Sequence, residues 1–225
     1  MRESEDDKRR STHWQRATYS LVACHLMQAR ELDISGAWEF TPRVFGDDRG
    51  AFLEWFKAAE FERAVGHPFS IAQANHSISR RGVVRGIHFA TVPPSQAKYV
   101  YCPKGAVLDV IIDIRVGSPT FGAVDSVRLD DVARRAVYLS EGLGHAFMAL
   151  EDETVVTYLC STAYDPAREF GIQPTDENLV LPWPADITPV LSAKDEAAPT
   201  LGQAREQGLL PTWDDCQAFY RALGR

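Results

Sequence analysis

Ala106-Val107-Leu108-Asp109-Val110-Ile111-Ile112-Asp113-Ile114-Arg115 alternates with a period of two. Its even positions, Ala106, Leu108, Val110, Ile112 and Ile114, form an unbroken apolar face. The odd positions include Asp109, Asp113 and Arg115. Successive side chains on a strand point to opposite faces, so this is a β-strand with both aspartates on one side. That side is read as meeting solvent, the norm for carboxylates; the alternative is a polar cavity.

Working outward, similar segments rich in Val, Ile, Tyr and Phe recur between Gly, Pro, Asp and Ser. Strands are predicted at 38–45, 52–56, 69–78, 83–90, 97–102, 106–114, 124–129, 135–139, 145–150 and 154–161. One helix is expected at 57–66, with Phe61 and Val65 four apart on one face. After Trp183 the tail is mixed. Its last stretch, Trp213 to Leu223, has helical spacing, and Asp214 and Asp215 suit the positive end of a helix. Many short strands with turns between them imply an all-β sandwich or barrel, here with short flanking helices.

A chain of 225 residues fits one large domain, or one domain plus short extensions. Residues 1–26 are charged and unpatterned, and Met27 opens a segment that reads at once as folded protein. The expectation is a mobile extension, 1–26, ahead of a single domain, 27–225. The formal net charge of −7 argues against a nucleic-acid or anionic-membrane partner, though a few local cations can still hold a small anion. Cys24, Cys102, Cys160 and Cys216 are far apart and form no C-x-x-C pair, which suits reduced thiols in a cytoplasmic protein. No apolar run is long enough to span a bilayer, and the N-terminus does not read as a signal peptide.

Of six histidines, His88 has the most suggestive setting. Arg80, Arg81, Arg85 and Lys98 surround it in sequence, as an acid–base site handling a diphosphate requires. A basic surface strand in water explains the same residues equally well. A second cluster, Gly142-Leu143-Gly144-His145, has the Gly-x-x-His spacing of many cupin barrels. Metal-binding cupins add a His-x-His pair and a Glu; Ile87-His88-Phe89 has no such pair, and two lone histidines make a poor metal site.

Taken in order, Gly82-Val-Val-Arg-Gly-Ile-His88-Phe, Gln96-Ala-Lys98-Tyr, Gly105 to Arg115, Gly117-Ser-Pro-Thr-Phe-Gly122, Glu141-Gly-Leu-Gly-His145-Ala-Phe, Tyr158-Leu-Cys-Ser and Tyr164-Asp-Pro resemble the dTDP-4-dehydrorhamnose 3,5-epimerase family. The resemblance runs from Met27 nearly to the C-terminus. It implies a cupin-type jelly roll, a homodimer and a dTDP-sugar substrate. The catalytic positions it implies are His88 as base, Asp195 (in Ser192-Ala193-Lys194-Asp195) as its partner, Tyr158 as opposing acid and Lys98 as a cationic group. It also implies that Arg85, Asp109 and His145 line the sugar site, with Tyr164 among the substrate contacts. Arg49, Phe52 and Glu54 match nucleotide contacts reaching in from the second subunit, and Gln73 and Asn75 match further ones. The chain departs at Ala193, where relatives often carry an acid, and at His76, where a small residue is common; the latter is expected at the pocket lip.

The chemistry implied is inversion of carbons flanking a sugar 4-ketone, at C3 and C5, or at one of them as in antibiotic deoxysugar enzymes. It needs no metal and no cofactor, in keeping with the lack of a Gly-x-Gly-x-x-Gly loop. Two readings compete from other classes: a metal-dependent cupin dioxygenase built on His88 and His145, and a non-catalytic sugar-binding cupin.

Overall fold

The structure, a computed structural model, describes residues 27–224; the extension expected at 1–26 lies outside the described residues. Thirteen strands and four short helices follow in chain order. They are β1 (Met27–Glu31), β2 (Ala37–Pro42), β3 (Val44–Asp47), β4 (Gly50–Leu53), α1 (Ala58–Val65), β5 (Gln73–Ser79), β6 (Val84–Ala90), β7 (Lys98–Lys104) and β8 (Ala106–Ile112). Then come β9 (Val124–Asp130), β10 (Ala136–Leu139), β11 (Gly144–Ala149), β12 (Thr154–Cys160), β13 (Glu169–Gly171), α2 (Ala193–Glu196), α3 (Leu201–Glu206) and α4 (Trp213–Ala222). No helix among the described residues is long and apolar enough to cross a membrane.

Two antiparallel sheets face each other as a cupin-like jelly roll, ordered β1-β2-β10-β7-β12-β5 and β13-β6-β11-β8-β9. Between them lies a core of Val100, Cys102, Val107, Ile111, Val127, Leu139, Phe147 and Val156. The outer face of the first sheet carries Phe40, Tyr99, Tyr101 and Tyr138, covered by Phe61 of α1. The outer face of the second carries Ile87, Val110, Ile112 and Ala146, covered by Ile172, Leu179, Ala204 and Leu210 of the tail. Each large apolar side chain so buried stabilises the fold by about 1.5–3 kcal/mol.

The strand at 106–114 forms as its alternation predicts, with its apolar face beneath the tail. Its other face does not meet solvent: Asp109, Asp113 and Arg115 are all 0% exposed. β8 is an inner strand between β11 and β9, and the side turned away from the tail points into the barrel. There Asp109 accepts from His145, and Asp113 pairs with Arg115. The predicted strand 38–45 divides into β2 and the start of a separate hairpin, β3–β4. β1, β13, α2 and α3 were not foreseen as elements.

Candidate active site

His88 and His145 face each other in register across β6 and β11. Next along the same pair, Arg85 lies opposite Phe147, so three steps on β6 match two on β11. Residues three apart on a regular strand point to opposite sides; the extra residue in this bulge brings Arg85 and His88 to the same side. Gly86 makes the bulge possible. Its φ is +117, and a Cβ there would run into the His145 carbonyl oxygen and Ala146.

Arg85, His88, Lys98, His145, Phe147, Tyr158 and Asp195 line a cleft of about 420 Å³. A second hollow of about 370 Å³ shares His88, Lys98, Tyr158 and Lys194 with it and adds Gln73, Asn75 and Tyr164. The two form one continuous site. His88 comes from the five-stranded sheet, whereas Lys98 and Tyr158 come from β7 and β12 of the six-stranded sheet. Base candidate and acid candidate therefore stand on opposite walls.

His88 Nε2 lies 2.7 Å from Asp195 Oδ1. Burial acts to raise the Asp195 pKa, but hydrogen bonds from His88, Ser192 and the Gly86 backbone outweigh it and hold the carboxyl below its ordinary value. An ionised Asp195 fixes the proton on Nε2 and leaves Nδ1 as the free lone pair of the ring. Burial pushes the Lys98 ammonium down, with Cys160, Glu169 and Asp109 acting against it. Burial raises Tyr158, so its hydroxyl stays protonated at neutral pH. A second imidazole–carboxylate pair, His145 Nε2 to Asp109 Oδ2 at 2.8 Å, is buried in the same wall. Arg85 is steadied by Ser79 Oγ at 3.2 Å.

Gln73 and Asn75 sit opposite Cys160 and Tyr158 on β5, and the Gln73 side-chain carbonyl accepts from the Tyr164 backbone N–H at 2.9 Å. Arg49, Phe52 and Glu54 do not reach this cleft within one chain. Arg49 pairs with Asp47, Glu54 with Lys57, and Phe52 is 67% exposed on the hairpin. His76 is not at the lip of the cleft. It lies instead in a neighbouring hollow with Trp55 and Tyr101, which touches the cleft only through Asn75 and Tyr158. The residue-by-residue reading missed Phe147, Glu169 and Lys194 as lining groups. Lys194 adjoins Asp195 in sequence, but Glu169 carried no local signal. Among the described residues, no group of three or more His, Cys, Asp or Glu side chains is arranged to hold a metal ion.

Residues 31–203 match the family model described as dTDP-4-dehydrorhamnose 3,5-epimerase. The chain is 57% identical to a dTDP-4-dehydrorhamnose 3,5-epimerase of Mycolicibacterium smegmatis over 88% of this chain and 98% of the relative. It is 56% identical to a dTDP-4-dehydrorhamnose 3-epimerase of Streptomyces niveus, covering 85% and 92% of the two chains. A 3'-monoepimerase from Streptomyces bikiniensis, solved in complex with dTDP-quinovose, superposes with a TM-score of 0.84 at 48% identity, over 86% of this chain and 98% of that one.

Proposed function

The chain belongs to the dTDP-4-dehydrorhamnose 3,5-epimerase family, and on that footing we propose that it inverts both C3 and C5 of dTDP-4-keto-6-deoxy-D-glucose to give dTDP-4-keto-L-rhamnose. The observation that carries this reading is the pairing of a His88–Asp195 dyad on one sheet with Tyr158 on the other. Carbons beside a ketone have acidic C–H bonds. His88 Nδ1 takes the proton from one face, the C4 oxygen becomes an enolate, and Tyr158 returns a proton from the opposite face. Inversion needs that two-sided geometry. Lys98, nine-tenths buried in the wall, places positive charge at the enolate oxygen, where low dielectric makes it count. Asp195 stabilises the imidazolium that forms.

NMR of the product formed in D₂O tests the reading, with deuterium and inversion expected at C3 and at C5. A product inverted at C3 alone would instead place the chain with the Streptomyces niveus and Streptomyces bikiniensis relatives. Tyr158→Phe is expected to wash deuterium into the substrate while losing inversion, most visibly at C5. The same doubly inverted product at near-normal rate would remove Tyr158 as the acid.

The same proposal takes the chain as a homodimer whose Arg49, Phe52 and Glu54 complete the partner's nucleotide site. Two features support this. The β3–β4 hairpin leaves Val44, Phe45 and Phe52 exposed, and among the described residues β5, which carries Gln73 and Asn75, ends the six-stranded sheet as an open edge. Pairing across subunits removes both liabilities. Sedimentation at micromolar concentration is expected to give a dimer; a fully active monomer would refute both the dimer and the shared site.

A further inference from the structure

Asp195 has two oxygens, and only one of them serves His88. We infer that Ser192 is a positioning residue that holds the Asp195 carboxylate in the orientation the His88 dyad requires; the inference rests on the reading of His88 as base. Ser192 Oγ donates to Asp195 Oδ2 at 2.9 Å and accepts from the Asp195 backbone N–H at 3.1 Å. Both contacts come from one hydroxyl, which is also the N-cap of α2. A carboxylate turns easily about its last torsion, since that rotation is broad and two-fold. With Oδ2 tied to Ser192, Oδ1 is left facing His88 Nε2.

The tether is indexed to the strand that carries the base. The Val84 N–H donates to the Val190 carbonyl at 3.0 Å, and the Val190 N–H donates to Gly82 at 2.8 Å. Ile187 packs with Val84 and Met148, with Leu191 against them. Ser192 therefore leaves β6 two residues after a fixed register point, and Asp195 returns to the same strand at His88. The hydroxyl closes the loop between those two attachments.

The test is a cycle of variants, with kcat and KM measured for inversion and for deuterium exchange. Ser192→Ala is expected to lower kcat on the order of tenfold to a hundredfold, the size of a hydrogen bond to a charged group, with KM little changed. Ser192→Thr, which keeps the hydroxyl, restores kcat to within a few-fold. Ser192→Gly keeps a backbone suited to the cap, and reports on the hydroxyl if the alanine variant fails to fold. In an Asp195→Ala background, Ser192→Ala adds no further loss, because there is no carboxylate left to orient. An equal loss in both backgrounds overturns the inference, as does a rise in KM at constant kcat, which would make Ser192 a substrate contact. If Asp195→Asn alone costs nothing, the dyad fails, and that failure is separate from Ser192's.

Discussion

His88→Asn is expected to stop deuterium exchange at both C3 and C5, with a rate loss of about 10²–10⁴-fold or more. The size follows from the site. His88 is half-buried in the cleft, and its Nε2 is engaged by Asp195, so the remaining ring nitrogen is the one placed to accept a proton. Asparagine preserves a polar side chain of similar reach but has no basic nitrogen. His145 does not replace it, since its Nε2 is held by the fully buried Asp109 of the neighbouring strand β8 and its side chain is only 8% exposed. Asp195→Asn is expected to weaken activity less completely, because the imidazole remains. Following both C–H positions by NMR in D₂O separates the outcomes. Exchange at the wild-type rate in the His88 variant would remove it as the base, and exchange lost at one carbon only would call for a second base.

Arg115→Ala is expected to cost about 3–5 kcal/mol of stability, the range for stripping one partner from a buried ion pair. The Arg115 and Asp113 side chains are both 0% exposed, and Arg115 donates to both Asp113 oxygens, from Nε at 2.9 Å and Nη2 at 2.8 Å. Ser118 and Thr120 donate to the same carboxylate, each at 2.6 Å. Arg115 also reaches the Ser35 carbonyl at 3.1 Å and lies over the Trp213 ring at 4.6 Å, so it ties the β1–β2 turn and α4 to the end of β8. Removing it leaves a carboxylate in the core with two hydroxyls and one backbone N–H, that of residue 115 at 3.1 Å, but no cation, and loosens three segments at once. Urea unfolding measures the effect as a fall in midpoint at constant slope. A loss below about 1 kcal/mol would show that the hydroxyls and the backbone N–H suffice for Asp113 without the guanidinium. Burial raises the Asp113 pKa, but Arg115, Ser118 and Thr120 outweigh it and hold the carboxyl below its ordinary 3.8. A depressed folded pKa means that its contribution is complete above 3.8 and is lost as pH falls through the lower folded value.

Local sequence determined the strand at 106–114, the helix bearing Phe61 and Val65, and the terminal helix from Trp213. These follow from side-chain period and end chemistry, which act over a few residues. Ordered motifs also named His88, Lys98 and Tyr158 before any of them had a place in space. Tertiary structure alone decided what covers each face. A period of two says that Asp109 and Asp113 lie on one side of a strand, yet only the facing six-stranded sheet makes that side interior. The same limit applies to Arg85 and His88. Their spacing of three assigns them to opposite sides, and only the bulge against β11, made possible by Gly86, brings them together. Asp195 reaches His88 across 107 residues of chain, and Glu169 joins the same cleft from an edge strand with no pattern of its own. Contacts of that kind arise from pairing between distant segments, and no local period encodes them.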